Sequence, residues 1–178
     1  PRKNLKACLR WFVEEFIDRE VGLVVKMNMK NNSFMDRERS EKKLKKFLRK
    51  YENRKCKIYL LHGDLSLEEM NALYTHPKIK CMISATHGEG YGLPLFEAAY
   101  NGLPVLTSGW SGHCDFLYAP KKDKKGKQRM RPHFAHVDYT LQPIQKEAEW
   151  EGVIQPGSSW CYPKEGSFKM RLREVYKD

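Results

Sequence analysis

Glu89 and Glu97 stand with seven residues between them on a stretch rich in glycine and proline, ATHGEGYGLPLFEAAYNGLPVLTSG, residues 85–109. A carboxylate is a poor phosphate ligand, because like charges repel. It is a good acceptor for paired sugar hydroxyls, and each such charge-assisted bond contributes about 1.5–3 kcal/mol. Gly88, Gly90 and Gly92 allow the backbone to approach a ligand closely and to take positive φ. Pro94 suits the first turn of a helix, where its missing N–H costs little, and Gly102 suits the position just past the end. Residues 93–101 are therefore predicted to form a short helix. Its free N–H groups and its dipole make its N-terminus an anion site. An anion site flanked by two carboxylates fits a ligand that carries a diphosphate between two sugars. A nucleotide sugar has that form.

Two better-known phosphate loops do not fit. GEGYG spells G-x-G-x-G and lacks the third glycine of the dinucleotide fingerprint G-x-G-x-x-G, and no G-K-[ST] follows it.

The elements that must position this stretch alternate along the chain. Leu5, Cys8, Leu9, Phe12, Val13, Phe16 and Ile17 form one apolar stripe, which predicts an amphipathic helix over 3–19. Residues 21–29 read as a buried strand, 36–52 as a helix and 57–61 as a second strand. Ser66 and Glu69 form a capping box that opens a helix running to about His76. Residues 80–85 and 103–108 read as the third and fourth strands, on either side of the 93–101 helix. Short apolar strands alternating with amphipathic helices imply an α/β fold: a Rossmann-like parallel sheet with helices on both faces. Ligands of such sheets bind beyond the carboxyl ends of the strands, and the glycine-rich stretch follows one of those ends. Further along, HFAHVDYTL reads as a strand and GSFKMRLREVYKD as a last short helix.

The chain has 178 residues and 40% hydrophobic side chains, enough for one domain with a core. No apolar run approaches the roughly 18 residues that span a membrane. Five scattered cysteines without a C-x-x-C pair argue against a disulfide framework and for a reducing, cytoplasmic setting. The net charge of +11 has two sources. In EKKLKKFLRKYENRKCK, residues 41–57, Leu44, Phe47, Leu48 and Tyr51 keep helical spacing, so the lysines form a solvated outer face. PKKDKKGKQRMR, residues 120–131, reads as an exposed loop or hairpin. Neither cluster has the interleaved aromatics of a single-strand binder.

The segment HGEGYGLPLFEAAYNGLPVLTSGWSGHCDFL, residues 87–117, resembles the donor-site signature of GT-B glycosyltransferases, in particular family 4, the group 1 transferases. That family's frame is E-G-[FY]-G-L-P-x-x-E-A-x-x-x-G-x-P-V, and Glu89 and Glu97 occupy its two glutamates. RKNLKACLRWF, residues 2–12, and LLHGDLSLEEMNALY, residues 60–74, resemble two upstream segments of the same family. The resemblance fades after Leu117. It implies the C-terminal, donor-binding half of a GT-B fold over residues 1–178, with the N-terminal acceptor lobe and the first strand absent.

The resemblance also implies roles. Glu89 binds hydroxyls of the transferred sugar near the reacting carbon. The backbone of Gly90, Tyr91, Gly92 and Leu93 cradles the diphosphate, and Glu97 holds the ribose hydroxyls. Lys3 neutralises the leaving diphosphate, Lys26 is a second lysine for that work, and the loop from His62 to Leu65 lies where the base is held. The chemistry implied is hexosyl transfer with retention, from a nucleoside-diphosphate sugar to a glycan, lipid-linked or small-molecule acceptor. Peripheral contact with a membrane is compatible with it. Helix dipole and lysine stand in for a metal, so neither metal nor cofactor is expected. His87, His113, His133 and His136 are read as packed or exposed side chains; on a shared strand, His133 and His136 would face opposite sides. Trp110, Trp150 and Trp160 are read as packing residues, an acceptor or sugar surface being their other use. The competing function is a non-catalytic domain that binds nucleic acid or an anionic surface through its charge.

Overall fold

The structure, a computed structural model, describes residues 2–177. It divides into two compact units, residues 1–11 with 71–178, and residues 12–70. Both boundaries fall inside helices, α1 (Leu5–Glu15) and α3 (Leu67–Tyr74), so no linker marks them.

The second unit, residues 12–70, holds β1 (Gly22–Lys26) and β2 (Lys57–Leu61), paired in parallel with Gly22 opposite Lys57 and Lys26 opposite Leu61. The crossover between them is α2 (Phe34–Leu48), extended by a short 3-10 turn over Arg49–Tyr51. Ser33 caps α2 by accepting from the Asp36 amide at 3.2 Å. The lysines of α2 are exposed and Leu44 and Leu48 buried, as the apolar spacing requires. Asp36 is buried as well. It accepts from the amides of Met29 and Lys30 and lies 3.0 Å from His62 Nε2. Its bond to His62 is the chief reason that its carboxyl lies below the usual range. Asp36 thus ties the end of β1 to the segment after β2. The capping box forms, with the Ser66 amide donating to Glu69 Oε2 at 2.7 Å and the Glu69 amide to Ser66 Oγ at 3.2 Å.

The first unit holds a parallel sheet in the order β3 (Met82–Ile83), β4 (Val105–Ser108), β7 (Ala135–Val137). The fold is mixed α/β with parallel sheets and helices, a Rossmann-like half. Its parallel strands lie in two sheets, one per unit, where the strand and helix alternation predicts one. Each strand is a ladder of its own unit: β1 pairs with β2, and β3 with β4. Between β3 and β4 runs α4 (Leu93–Tyr100). Between β4 and β7 the chain forms α5 (Cys114–Leu117) and the antiparallel hairpin β5 (Tyr118–Lys122) and β6 (Gln128–Pro132). HFAHVDYTL is two strands. Ala135–Val137 completes the parallel sheet, and β8 (Tyr139–Pro143) pairs antiparallel with β9 (Ser159–Pro163). His133 precedes β7, so it and His136 do not share a strand. The last helix, α6 (Glu165–Lys177), is longer than predicted at its start; Asp178 lies outside the described residues.

The core of this unit joins Leu95 and Ala98 of α4, Val105 and Leu106 of β4, Val137, Cys161, and Phe168 and Leu172 of α6. Trp11 packs on Phe168 with ring centroids 5.2 Å apart. All five cysteines are free, and burial pushes the Cys8 thiol up to about 12, so it is an inert packing group. No described helix is long and apolar enough to cross a membrane. Because Phe168 is fully buried against Trp11, Phe168→Ala is expected to cost about 3–5 kcal/mol in urea unfolding. A loss below 1 kcal/mol would show that this contact does not hold the unit together.

Candidate functional site

The site forms in the first unit, where the chain leaves β3 and runs to α4. Thr86 is fully buried and organises the loop from inside. Its Oγ1 accepts from the Gly88 amide at 3.3 Å and lies within donating distance of the Gly88 and Arg2 carbonyls. The His87 amide donates to the same Arg2 carbonyl at 2.9 Å. These bonds lay the N-terminal segment alongside the loop. Asn4 then turns the chain into α1 with φ of 47°, a conformation that asparagine tolerates better than most residues.

This placement brings Arg2 and Lys3 onto Glu89. Lys3 Nζ lies 2.7 Å from both carboxylate oxygens, and Arg2 Nη1 donates to Oε2 at 2.9 Å and to the Gly88 carbonyl at 2.7 Å. Glu89 is only 8% exposed. Burial raises its pKa, but the bonds from Lys3 and then Arg2 outweigh burial, so the carboxyl sits below its usual range. The result is a buried ionised carboxylate whose cationic partners remain half-exposed.

A second set of bonds fixes the Glu89 backbone. The Glu89 amide donates to Ser111 Oγ at 3.0 Å, and Ser111 Oγ donates back to the Glu89 carbonyl at 2.6 Å. The Gly112 amide donates to the same carbonyl at 3.1 Å. Ser111 holds φ of 90°, a conformation that costs a side-chain-bearing residue on the order of 1–3 kcal/mol. A Cβ on Gly112 would collide with the Gly90 carbonyl oxygen, so only glycine lets the two loops meet. His113 is fully buried behind them with Nε2 at 2.7 Å from the Ser108 carbonyl, and burial depresses its pKa, which keeps it neutral.

Beyond Glu89 the chain is open. Gly90, Tyr91 and Leu93 are exposed, and Gly92 caps α4 with φ of 88° and no side chain to close the helix end. Pro94 sits in the first turn as expected. Tyr91 leans on Phe96 and Phe116 at centroid distances of 5.6 and 5.2 Å, which stiffens the turn. Glu97 is the fifth residue of α4, past the first turn, so the dipole alone does not account for it. It is half-buried and accepts from Tyr74 Oη at 3.1 Å. Burial and the neighbouring Glu97 both push the Tyr74 hydroxyl well above its ordinary value, so it stays a donor.

The structure therefore brings Lys3 to Glu89 and sets Gly90 to Leu93 at the open end of α4. Lys26 and His62 belong to the second unit, where Lys26 is exposed and donates to the Gly63 carbonyl at 3.3 Å, and His62 is engaged with Asp36. Arg2, Tyr74 and Ser111 escaped the sequence reading. Arg2 had a signal, being the first residue of the RKN segment. Ser111 had one only in its place within WSGH, two residues before His113.

The family model for glycosyl transferases group 1 matches residues 16–122, more than half of the chain. The chain belongs to that family. No curated protein matches it significantly. The chemistry of this group 1 chain is glycosyl transfer in general terms. The matched span contains both glutamates and the turn between Glu89 and α4, while Arg2 and Lys3 lie ahead of it.

Two outcomes are expected from this geometry. Glu89→Gln in the group 1 chain costs about 1–2 kcal/mol at pH 7, a value reduced by the exposure of both cations. The folded pKa of Glu89 is depressed, so its contribution is present above the unfolded pKa and is lost as pH falls through the folded one. The stability gap between wild type and variant should therefore close below about pH 4; a gap that stays constant down to pH 2 would contradict the ion pairs. Gly112→Ala should lower stability by about 1–3 kcal/mol in denaturant melts, because the clash is with backbone and cannot be relieved by a side chain.

Proposed function

We propose that residues 1–178 form the donor-binding lobe of a hexosyltransferase, which holds a nucleoside-diphosphate sugar and passes its sugar on with retention. The observation that supports this most is the buried, ionised Glu89 beside the N-terminus of α4, which no side chain caps, with two half-exposed cations on the carboxylate. In this reading the diphosphate lies on the Gly90 to Leu93 backbone, where amides and helix dipole favour negative charge. Lys3 is shared between Glu89 and the diphosphate and moves toward the phosphate as the leaving group gains charge. Glu89 then turns its freed oxygens to hydroxyls of the transferred sugar. Glu97, aimed by Tyr74, accepts from the ribose hydroxyls. No metal is required, and the setting is cytoplasmic.

The hairpin β5–β6 favours a second contact. It carries seven cations against one carboxylate, Asp123, which closes its turn by accepting from the amides of Lys125 and Lys127. More than half of the +11 charge thus sits on one exposed ribbon. It suits a peripheral contact with an anionic membrane where a lipid-linked acceptor is held.

UDP, GDP or ADP at about a hundred times its dissociation constant should stabilise the chain by about 2.7 kcal/mol, read as a higher melting temperature. EDTA should leave the shift unchanged, and Glu97→Ala should remove most of it. A flat melting response to all three nucleotides and to their sugars would sink the donor role.

A further inference from the structure

The hairpin β5–β6 carries its charge in a way that folding alone does not call for. In its register Lys121 stands directly opposite Arg129, and Lys122 opposite Gln128. Like charges that face each other across two strands are destabilising. A two-stranded ribbon has little to offset that cost, and every residue from Lys124 to His133 is exposed here. The ends hold the ribbon instead. Asp123 accepts from the Lys125 and Lys127 amides, and its own amide donates to the Lys127 carbonyl at 2.9 Å. At the base, the His133 amide donates to the Leu117 carbonyl at 2.9 Å and anchors the ribbon to α5. Charge on an exposed ribbon also deters pairing with other chains. Mixed signs would do that without setting Lys121 against Arg129.

The hairpin lines an open pocket of about 450 Å³ with Lys121, Lys122, Asp123, Lys124, Arg131 and His133. Four cations thus meet one carboxylate. That carboxylate is taken up by the two turn amides and by Arg129, whose Nε lies 3.8 Å from it. Among the described residues no ion pair engages Lys121, Lys122, Lys124 or Arg131. Four unpaired cations around one cavity concentrate a positive potential there.

The lining narrows the class of anion. No Phe, Tyr or Trp lines the pocket, so a nucleobase has no face to stack on. A phosphodiester brings one negative charge to four cations, and so does a carboxylate. A phosphate monoester brings close to two at neutral pH, with three strong acceptor oxygens. Arginine can take two of those oxygens side by side, and the lysines meet the remaining charge as point cations. We propose that this pocket binds a phosphate monoester, carried by a soluble molecule or by a membrane lipid. The pocket stands on its own lining, which shares no residue with the Glu89 loop or α4. A lipid as the carrier rests on the membrane contact proposed above. In that case the pocket selects monoester headgroups from an anionic surface that the rest of the ribbon meets through charge alone.

Glycerol 3-phosphate and phosphatidylcholine vesicles containing phosphatidic acid present the same group in soluble and in lipid form. The first is titrated into the full chain and read by the backbone amide NMR signals of the hairpin; the second is read by co-sedimentation. At least one should bind. Lys121→Gln combined with Arg131→Gln should weaken that binding about tenfold or more, two cations being lost. The melting temperature should not change, because both side chains are exposed. Lys125→Gln combined with Lys127→Gln removes the same charge from the same ribbon outside the pocket and should cost far less. If neither probe binds, or if the two double variants lose affinity equally, the pocket is wrong. Equal binding of phosphatidic acid and phosphatidylglycerol vesicles at matched surface charge, without glycerol 3-phosphate binding, would overturn the pocket and leave the membrane contact standing. A DNA duplex held by these cations while both monoester probes are refused would overturn it as well. Glycerol 3-phosphate binding that the pocket variant abolishes, with no vesicle binding, would support the pocket and remove the membrane contact alone.

Discussion

Glu89 is a carboxylate taken almost entirely out of water, and the surrounding loop is organised around that charge. An unpaired buried carboxylate is costly by several kcal/mol and would take up a proton instead. Lys3 and Arg2 prevent this by occupying both oxygens. The N-terminal segment can supply them only because the Arg2 carbonyl is held by the His87 amide and lies within reach of the Thr86 hydroxyl. From the other side, Ser111 and Gly112 hold the Glu89 backbone, at the expense of a strained φ in one and of any side chain in the other. Strain of this kind persists where the neighbouring structure over-determines it, and here six bonds converge on one residue.

The asymmetry of exposure gives this arrangement its use. The carboxylate is fixed and buried while its cations reach it from solvent. Partners that reach the carboxylate from the solvent side can be exchanged for an incoming ligand while the Glu89 backbone stays fixed by Ser111 and Gly112. The uncapped end of α4 adds a field of the right sign for a second anion beside it. Glu97 is treated differently: it is half-buried, one turn further along the helix, and held by a neutral hydroxyl. One carboxylate is thus held by two cations, and the other by a neutral hydroxyl.

The two hairpins that follow β4 diverge in chemistry. The β5–β6 ribbon is cationic, polar and exposed on both strands. The β8–β9 ribbon buries Trp160 and Cys161, and its connecting segment carries Glu147, Glu149 and the exposed Trp150. The first has the character of a surface for extended negative charge. The second borders an open cleft that Arg2, bonded to the Glu89 loop, also lines.

The sequence by itself determined most of the local elements and the family. Apolar spacing placed α2 and its lysines and β2 to the residue, and the Ser66–Glu69 spacing placed the capping box, because each depends on neighbours within a few positions. The two-glutamate frame identified the family, and Pro94 and Gly102 marked the ends of α4. Tertiary structure decided the rest. Nothing local distinguishes Arg2 from a surface arginine until the chain folds it onto a loop 87 residues away. The same holds for Tyr74 on Glu97 and for Ser111 on the Glu89 backbone. The assignment of Ala135–Val137 to the parallel sheet, and of Trp150 to a pocket instead of the core, also depended on partners distant in sequence. Propensity and periodicity report what a residue can do with its neighbours along the chain. A buried charge, a strained serine and an exposed indole take their meaning from atoms that only the fold brings to them.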